Sequence, residues 1–177
     1  MLADPRHSCI VLLNVTRTGG VDADASAQGP GGSPALLSAC REVFSIPQIA
    51  IGEYEQDLLP DHIPASIERF HVEPLAVWRD PRLAARLTES GAAVVFLGGA
   101  FLEEEVLIAA LEGVRHGYDI RLLLDLSVAR DERDRSIALT RLAHHGVLAT
   151  TLRQAFLEWA VSLGDQAISR KIRELLS

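Results

Sequence analysis

Hydrophobic positions along the chain alternate between two patterns. Short, mostly apolar runs occupy residues 8–15, 48–51, 93–97, 120–125 and 147–150, and short runs without regular polar alternation describe strands buried on both faces. Between them, residues 34–44, 81–90, 103–116 and 132–145 carry apolar side chains at three-to-four spacing, as in Ile137, Leu139, Leu142 and Ala143; these are expected to be helices. Gly91, Gly117 and Gly146 follow three of those segments, where helices often end on a left-handed residue. Strand-helix alternation of this kind predicts a three-layer α/β/α domain, a doubly wound and mostly parallel sheet with right-handed crossovers.

Two stretches interrupt the alternation. Residues 18–34 are rich in glycine, proline and serine and nearly free of bulky apolar groups, so a flexible loop is expected there. It follows the first strand and would sit at the carboxyl edge of the sheet, where doubly wound proteins bind ligands, so it is a candidate lid or a plain surface loop. Residues 54–67 form a second loop region, with Glu55, Asp57 and Asp61 ahead of His62. Near the end, residues 167–176 are amphipathic, with Ile168, Ile172 and Leu175 on one stripe and Lys171 off it. They belong to a C-terminal helix expected at about 165–176, docked on its own body or on a neighbouring subunit.

Composition narrows the class. A length of 177 residues with 48% hydrophobic content suits one buried core, hence a single domain over 1–177. The net charge of −7 disfavours nucleic acid or an anionic membrane as partner. No apolar run reaches the ~18 residues of a membrane span, and the first residues lack a secretory apolar core, so a cytoplasmic protein is expected. Cys9 falls in an expected strand and Cys40 in an expected helix, where each reads as a buried filler rather than half of a disulfide or a reactive thiol.

Taken in order, Ile10-Val-Leu-Leu-Asn14, Ile46-Pro-Gln-Ile-Ala50, Val94-Val-Phe-Leu-Gly-Gly99, the run from Ala109 to Gly117-Tyr118, Leu124-Asp-Leu-Ser-Val-Ala-Arg130, Asp134-Arg-Ser-Ile-Ala138 and Gly146-Val-Leu-Ala-Thr-Thr151 resemble the isochorismatase-like (cysteine hydrolase) family. Ala167-Ile-Ser-Arg170 is similar to the ending of its short isochorismatase-domain and YcaC-like branch. The resemblance implies a homo-oligomeric isochorismatase-like fold and a triad of aspartate, lysine and cysteine. In that triad a helix N-terminus and an ammonium lower the thiol pKa, and the aspartate shuttles the proton. It also implies a non-proline cis peptide between Ala100 and Phe101.

All three triad positions depart from that pattern. The aspartate falls on Asn14, whose amide has no proton to exchange near neutrality. The lysine falls on Val72, or on His71 if the placement slips by one, and Lys171 is the chain's only lysine. The cysteine falls on Glu105. With Asn14 and Val72 as its expected neighbours, Glu105 would have neither a second carboxylate nor a cation beside it. Glu103, Glu104 and Glu105 then read as acidic compensation of a helix dipole, or Glu105 as a ligand-binding or acid-base carboxylate.

Other candidates carry less. Glu53, just after the second strand, and Trp78, Ala100 and Phe101 are pocket candidates, although both aromatics read more readily as packing than as substrate stacking. His144 and His145 fit a helix C-terminus, and His62 with Asp57 and Asp61 fits an exposed acidic loop better than a metal site. Gly29-Pro-Gly-Gly-Ser-Pro34 has neither the spacing nor the lysine of a phosphate loop. No cofactor and no metal are therefore expected. Two functions compete: a hydrolase-family protein that binds a small molecule or a partner without catalysis, and a cysteine-independent hydrolase of a small amide, ester or vinyl ether using Glu105 as acid-base residue.

Overall fold

The computed structural model describes residues 2–18, 33–54 and 67–177. Six strands form one sheet: β1 (Ser8–Leu13), β2 (Gln48–Ile51), β3 (Glu68–Phe70), β4 (Val94–Ala100), β5 (Asp119–Val128) and β6 (Leu148–Thr150). Their order is β3-β2-β1-β4-β5-β6 and every pairing is parallel. Helices α1 (Ser33–Phe44), α2 (Pro81–Glu89), α3 (Leu107–Arg115), α4 (Glu132–His144), α5 (Leu152–Leu163) and α6 (Gln166–Leu175) cover both faces.

The alternation of side chains along β1 shows how one strand feeds two cores. Ile10 and Leu12 pack with Leu36 and Cys40 of α1 and Phe156 and Trp159 of α5. Cys9, Val11 and Leu13 pack with Leu83 and Leu87 of α2, Ala109 and Ala110 of α3 and Leu142 of α4. Every residue of β1 is buried, which explains its mostly apolar run. Ile172 seats α6 in the α1/α5 core, with Ile168 and Leu176 packed beside it. Leu175, expected on that stripe, is instead exposed, so Leu176 replaces it on the inner face.

Several boundaries differ from the sequence reading. The first strand ends at Leu13 rather than 15, because Asn14 takes a positive φ of 48° and the chain turns into a 3-10 helix at Val15–Thr18. β4 continues past Leu97 to Ala100, carrying two glycines against β1. The helix expected over 103–116 begins as a π turn at Leu102–Val106, in which Glu104 has non-helical angles. β3 and α5 are additional elements. The expected glycine stops hold: Gly91, Gly117 and Gly146 all have positive φ. The 18–34 loop is described only at its two ends, and the acidic loop with Asp57, Asp61 and His62 lies outside the described residues.

The strand order reverses between β1 and β4, the switch point at which doubly wound sheets place ligands beyond the carboxyl ends of their strands. Gly99 makes that junction possible. A Cβ there would lie 2.0 Å from the Leu13 carbonyl oxygen and 2.6 Å from its nitrogen, on a backbone with φ of 121°. Gly99→Ala is expected to lower stability by on the order of 3 kcal/mol, read as a shift of the urea midpoint without loss of cooperativity.

Candidate functional site

A cleft of about 380 Å³ opens at this switch point, lined by Asn14, Arg17, Gly52, Glu53, His71, Val72, Glu73, Pro74 and Glu105. Asn14, Val72 and Glu105, separated by up to 91 positions in sequence, thus share one wall-to-wall space, with Glu53 beside them.

Asn14 is buried at the floor and works in two directions. Its Nδ2 donates to the Ala100 carbonyl at 3.1 Å, and its Oδ1 accepts from the Glu53 N–H at 3.0 Å. One amide therefore joins the exits of β1, β2 and β4. Asparagine suits the position twice over, since it tolerates a positive φ and carries both a donor and an acceptor. The Ala100–Phe101 peptide is cis. Gly52 leaves room for the Asn14 amide, because a Cβ there would meet Asn14 Oδ1 at 2.3 Å.

Glu105 has company that the sequence reading did not expect. Arg17, on the turn after β1, donates from Nη1 to Glu105 Oε1 at 3.0 Å. The same guanidinium grips Glu53 through Nε and Nη2 at 2.9 and 2.5 Å. The second Glu105 oxygen accepts from the Phe101 N–H at 3.3 Å. A cation and, across it, a second carboxylate thus stand beside Glu105, correcting the expectation that it has neither. Arg17 escaped notice because it sits one residue before the glycine-rich stretch; its signal was a lone basic residue three positions after the first-strand asparagine.

Charge responds accordingly. The Arg17 guanidinium, through its hydrogen bonds, holds the Glu53 carboxyl below the usual carboxylate range. Glu53 in turn raises Arg17. Cys9 and Cys40 offer no counterpart: both are buried, desolvation pushes Cys9 up to about 12 and raises Cys40 well above an ordinary thiol. Cys9 lies four residues before Leu13 on β1, roughly 13 Å from the cleft end of the strand.

The neighbouring glutamates are more specific than dipole compensation. Glu103 Oε1 accepts from the Arg130 and Asp131 N–H groups at 2.7 and 2.9 Å, and Glu104 pairs with Arg130 at 2.8 Å. Phe101 lies between two guanidinium groups, 4.2 Å from that of Arg130 and 5.9 Å from that of Arg17. Trp78 does not reach the cleft. Its Nε1 donates to the Ala109 carbonyl at 2.7 Å and its ring stacks on His116 and Tyr118, so it is packing on α3 rather than a pocket residue. The Asp125 carboxylate receives the Leu152 N–H at the start of α5, and Thr151 with Gln154 forms a capping box there. Those motif residues hold the scaffold. Among the described residues no three His, Cys, Asp or Glu side chains converge as a metal set.

No family model matches the chain, and no curated protein matches it by sequence. Solved structures do match. The MAR1 ribonuclease from Caenorhabditis elegans superposes with a TM-score of 0.77 at 18% identity, over 99% of this chain and 92% of that one. The YcaC gene product of Escherichia coli, an octameric hydrolase of unknown specificity, gives 0.73 at 15% identity, over 99% and 90%. N-carbamoylsarcosine amidase from Thermoplasma acidophilum gives 0.59 at 14%, over 81% and 95%. The fold is therefore the isochorismatase-like α/β fold of the cysteine hydrolases, in accord with the resemblance carried by the motifs.

Two outcomes follow from this geometry. Asn14→Asp removes the donor to Ala100 and sets a carboxylate against that carbonyl; a loss of about 1–3 kcal/mol is expected in urea unfolding at neutral pH. The Glu53–Arg17 pair, half exposed, is worth within about 1 kcal/mol. Since the folded Glu53 carboxyl titrates below its unfolded value, that stabilisation is complete above about pH 4.3 and is lost as pH falls through the folded value. The stability gap between wild type and Arg17→Ala should be level at pH 6–7 and shrink below about pH 4.

Proposed function

We propose that this chain is an isochorismatase-like family member whose Asp-Lys-Cys triad has become Asn14, Val72 and Glu105, and that it binds a small molecule in the cleft without turning it over. The observation that carries this reading is the occupation of Glu105: one oxygen faces the Arg17 guanidinium and the other the Phe101 N–H. A general acid needs an O–H directed at substrate and a nucleophile an oxygen aimed at it, whereas both Glu105 oxygens are aimed at donors of the protein itself. Asn14 is equally committed at both ends, and the lining residues contain no thiol and no ammonium. The competing reading, a cysteine-independent hydrolase with Glu105 as acid-base residue and water as nucleophile, would need Arg17 to leave first.

The octameric assembly of the Escherichia coli YcaC gene product supports a homo-oligomer here too. Exposed Leu2, Leu148, Leu157 and Val161 are suitable contacts for a second copy. No described helix is long and apolar enough to cross a membrane, and we place the protein in the cytoplasm. Although one structural relative is a ribonuclease, the carboxylates Glu53, Glu73 and Glu105 face this cleft against one guanidinium, an unsuitable lining for a phosphodiester chain.

The test is a panel of small amides, amidinium and guanidinium compounds, isochorismate-like acids and nicotinamide analogues, followed by thermal shift and by product formation on wild type and Glu105→Gln. Stabilisation of wild type that is lost in the variant, with no product from either, is the expected result. Turnover by wild type that disappears in Glu105→Gln would overturn the non-catalytic reading.

A further inference from the structure

The lining of the cleft is unbalanced in charge. Glu53, Glu73 and Glu105 bring three carboxylates to it, and Arg17 is the single arginine or lysine among the described residues that line it. Each nitrogen of that guanidinium donates to one of two of these carboxylates, Nε and Nη2 to Glu53 and Nη1 to Glu105. An incoming anion would meet excess negative charge among the described lining residues. A cation would be drawn by it.

Arg17 also displays the shape of the site it fills. Glu53 takes one edge of the planar guanidinium in a two-point grip, and Glu105 Oε1 reaches the remaining nitrogen from the other side at 3.0 Å. This is the arrangement by which carboxylates select guanidinium over ammonium, because the fork matches two oxygens at once. The group doing so is not locked in the core. The Arg17 side chain retains 32% exposure and extends from the one-turn helix Val15–Thr18. Its departure would leave Glu53 and Glu105 facing a common space beside the buried Asn14 amide.

We propose that the cleft's ligand is a small organic cation of guanidinium or amidinium type, held by Glu53 and Glu105 in place of Arg17, which acts as an internal competitor for the same two carboxylates. The proposal rests on the binding reading given above and adds the ligand's chemical class. It requires that ligand affinity rise when the competitor is removed, which a site using Arg17 as a binding group would not show.

The experiment is isothermal titration with n-butylguanidinium, using n-butylurea as its neutral isostere and butyrate as the anion. Wild type, Arg17→Ala, Arg17→Gln and the doubles of Arg17→Ala with Glu53→Gln or Glu105→Gln are compared, with far-UV circular dichroism to show that each is folded. Arg17→Ala should bind n-butylguanidinium at least tenfold more tightly than wild type and at least tenfold more tightly than it binds n-butylurea. Either added glutamine substitution should remove most of that gain. Arg17→Gln supplies the same reading if the alanine variant does not fold. Equal affinity for n-butylguanidinium and n-butylurea in the Arg17 variants, or butyrate binding that depends on Arg17, would overturn the cationic class. An uncharged or anionic compound that binds through Glu105 and is recovered intact would sink that class while leaving the non-catalytic reading standing. Hydrolysis of n-butylguanidinium to n-butylammonium and urea would do the reverse.

Discussion

One guanidinium, that of Arg17, decides what the cleft can do. It draws together Glu53 from the exit of β2 and Glu105 from the π turn after β4, so two acidic groups that would otherwise repel share a single cation. Beneath it the Asn14 amide ties the same two strand exits to β1. These contacts are coupled in direction: the Glu53 N–H points down to Asn14 while its carboxylate points up to Arg17. An aspartate in place of Asn14 could accept from Glu53 but could not donate to Ala100. The floor is therefore built for an amide, and the roof for a positive charge.

This arrangement sits at the switch point of a fold shared with cysteine hydrolases. The sheet order, the glycine at the β1–β4 junction and the helix start after β4 create a cleft whatever residues line it. Thiolate chemistry needs a sulfur at that helix start with a cation close by. Here a cation is present in the cleft, and it pairs with the Glu105 carboxylate at that helix start. Both thiols of the chain are sealed in the opposite cores, Cys9 against α2 and α3 and Cys40 against α5. What is left is a polar cleft whose described lining carries three carboxylates and one guanidinium.

Much of the scaffold was legible because it obeys simple periodicities. The mostly apolar character of β1 follows from burial on both faces, and the glycines after α2, α3 and α4 follow from left-handed helix ends. β3 was invisible because it is a three-residue edge strand with mostly exposed side chains. α5, by contrast, carries a plain signal: Leu152, Ala155, Phe156, Trp159 and Ala160 lie at helical spacing, and Thr151 with Gln154 marks its start. The site was half legible. The alignment of family-like motifs brought Asn14, Val72 and Glu105 to one place, but the partners that give them meaning come from tertiary geometry. Arg17 is 36 positions from Glu53 and 88 from Glu105, distances over which no local pattern speaks. Trp78 failed as a pocket residue for a related reason: Gly113 gives its ring a seat against α3, a packing relation with no signature in spacing.

The account stands on Arg17 and Glu105 being energetically joined rather than merely adjacent. A double-mutant cycle of Arg17→Ala and Glu105→Gln, read by urea unfolding at neutral pH and low salt, measures that link. A favourable coupling of about 0.5 kcal/mol or more, diminished in high salt, is the result predicted. Strict additivity of the two substitutions at low salt would contradict it.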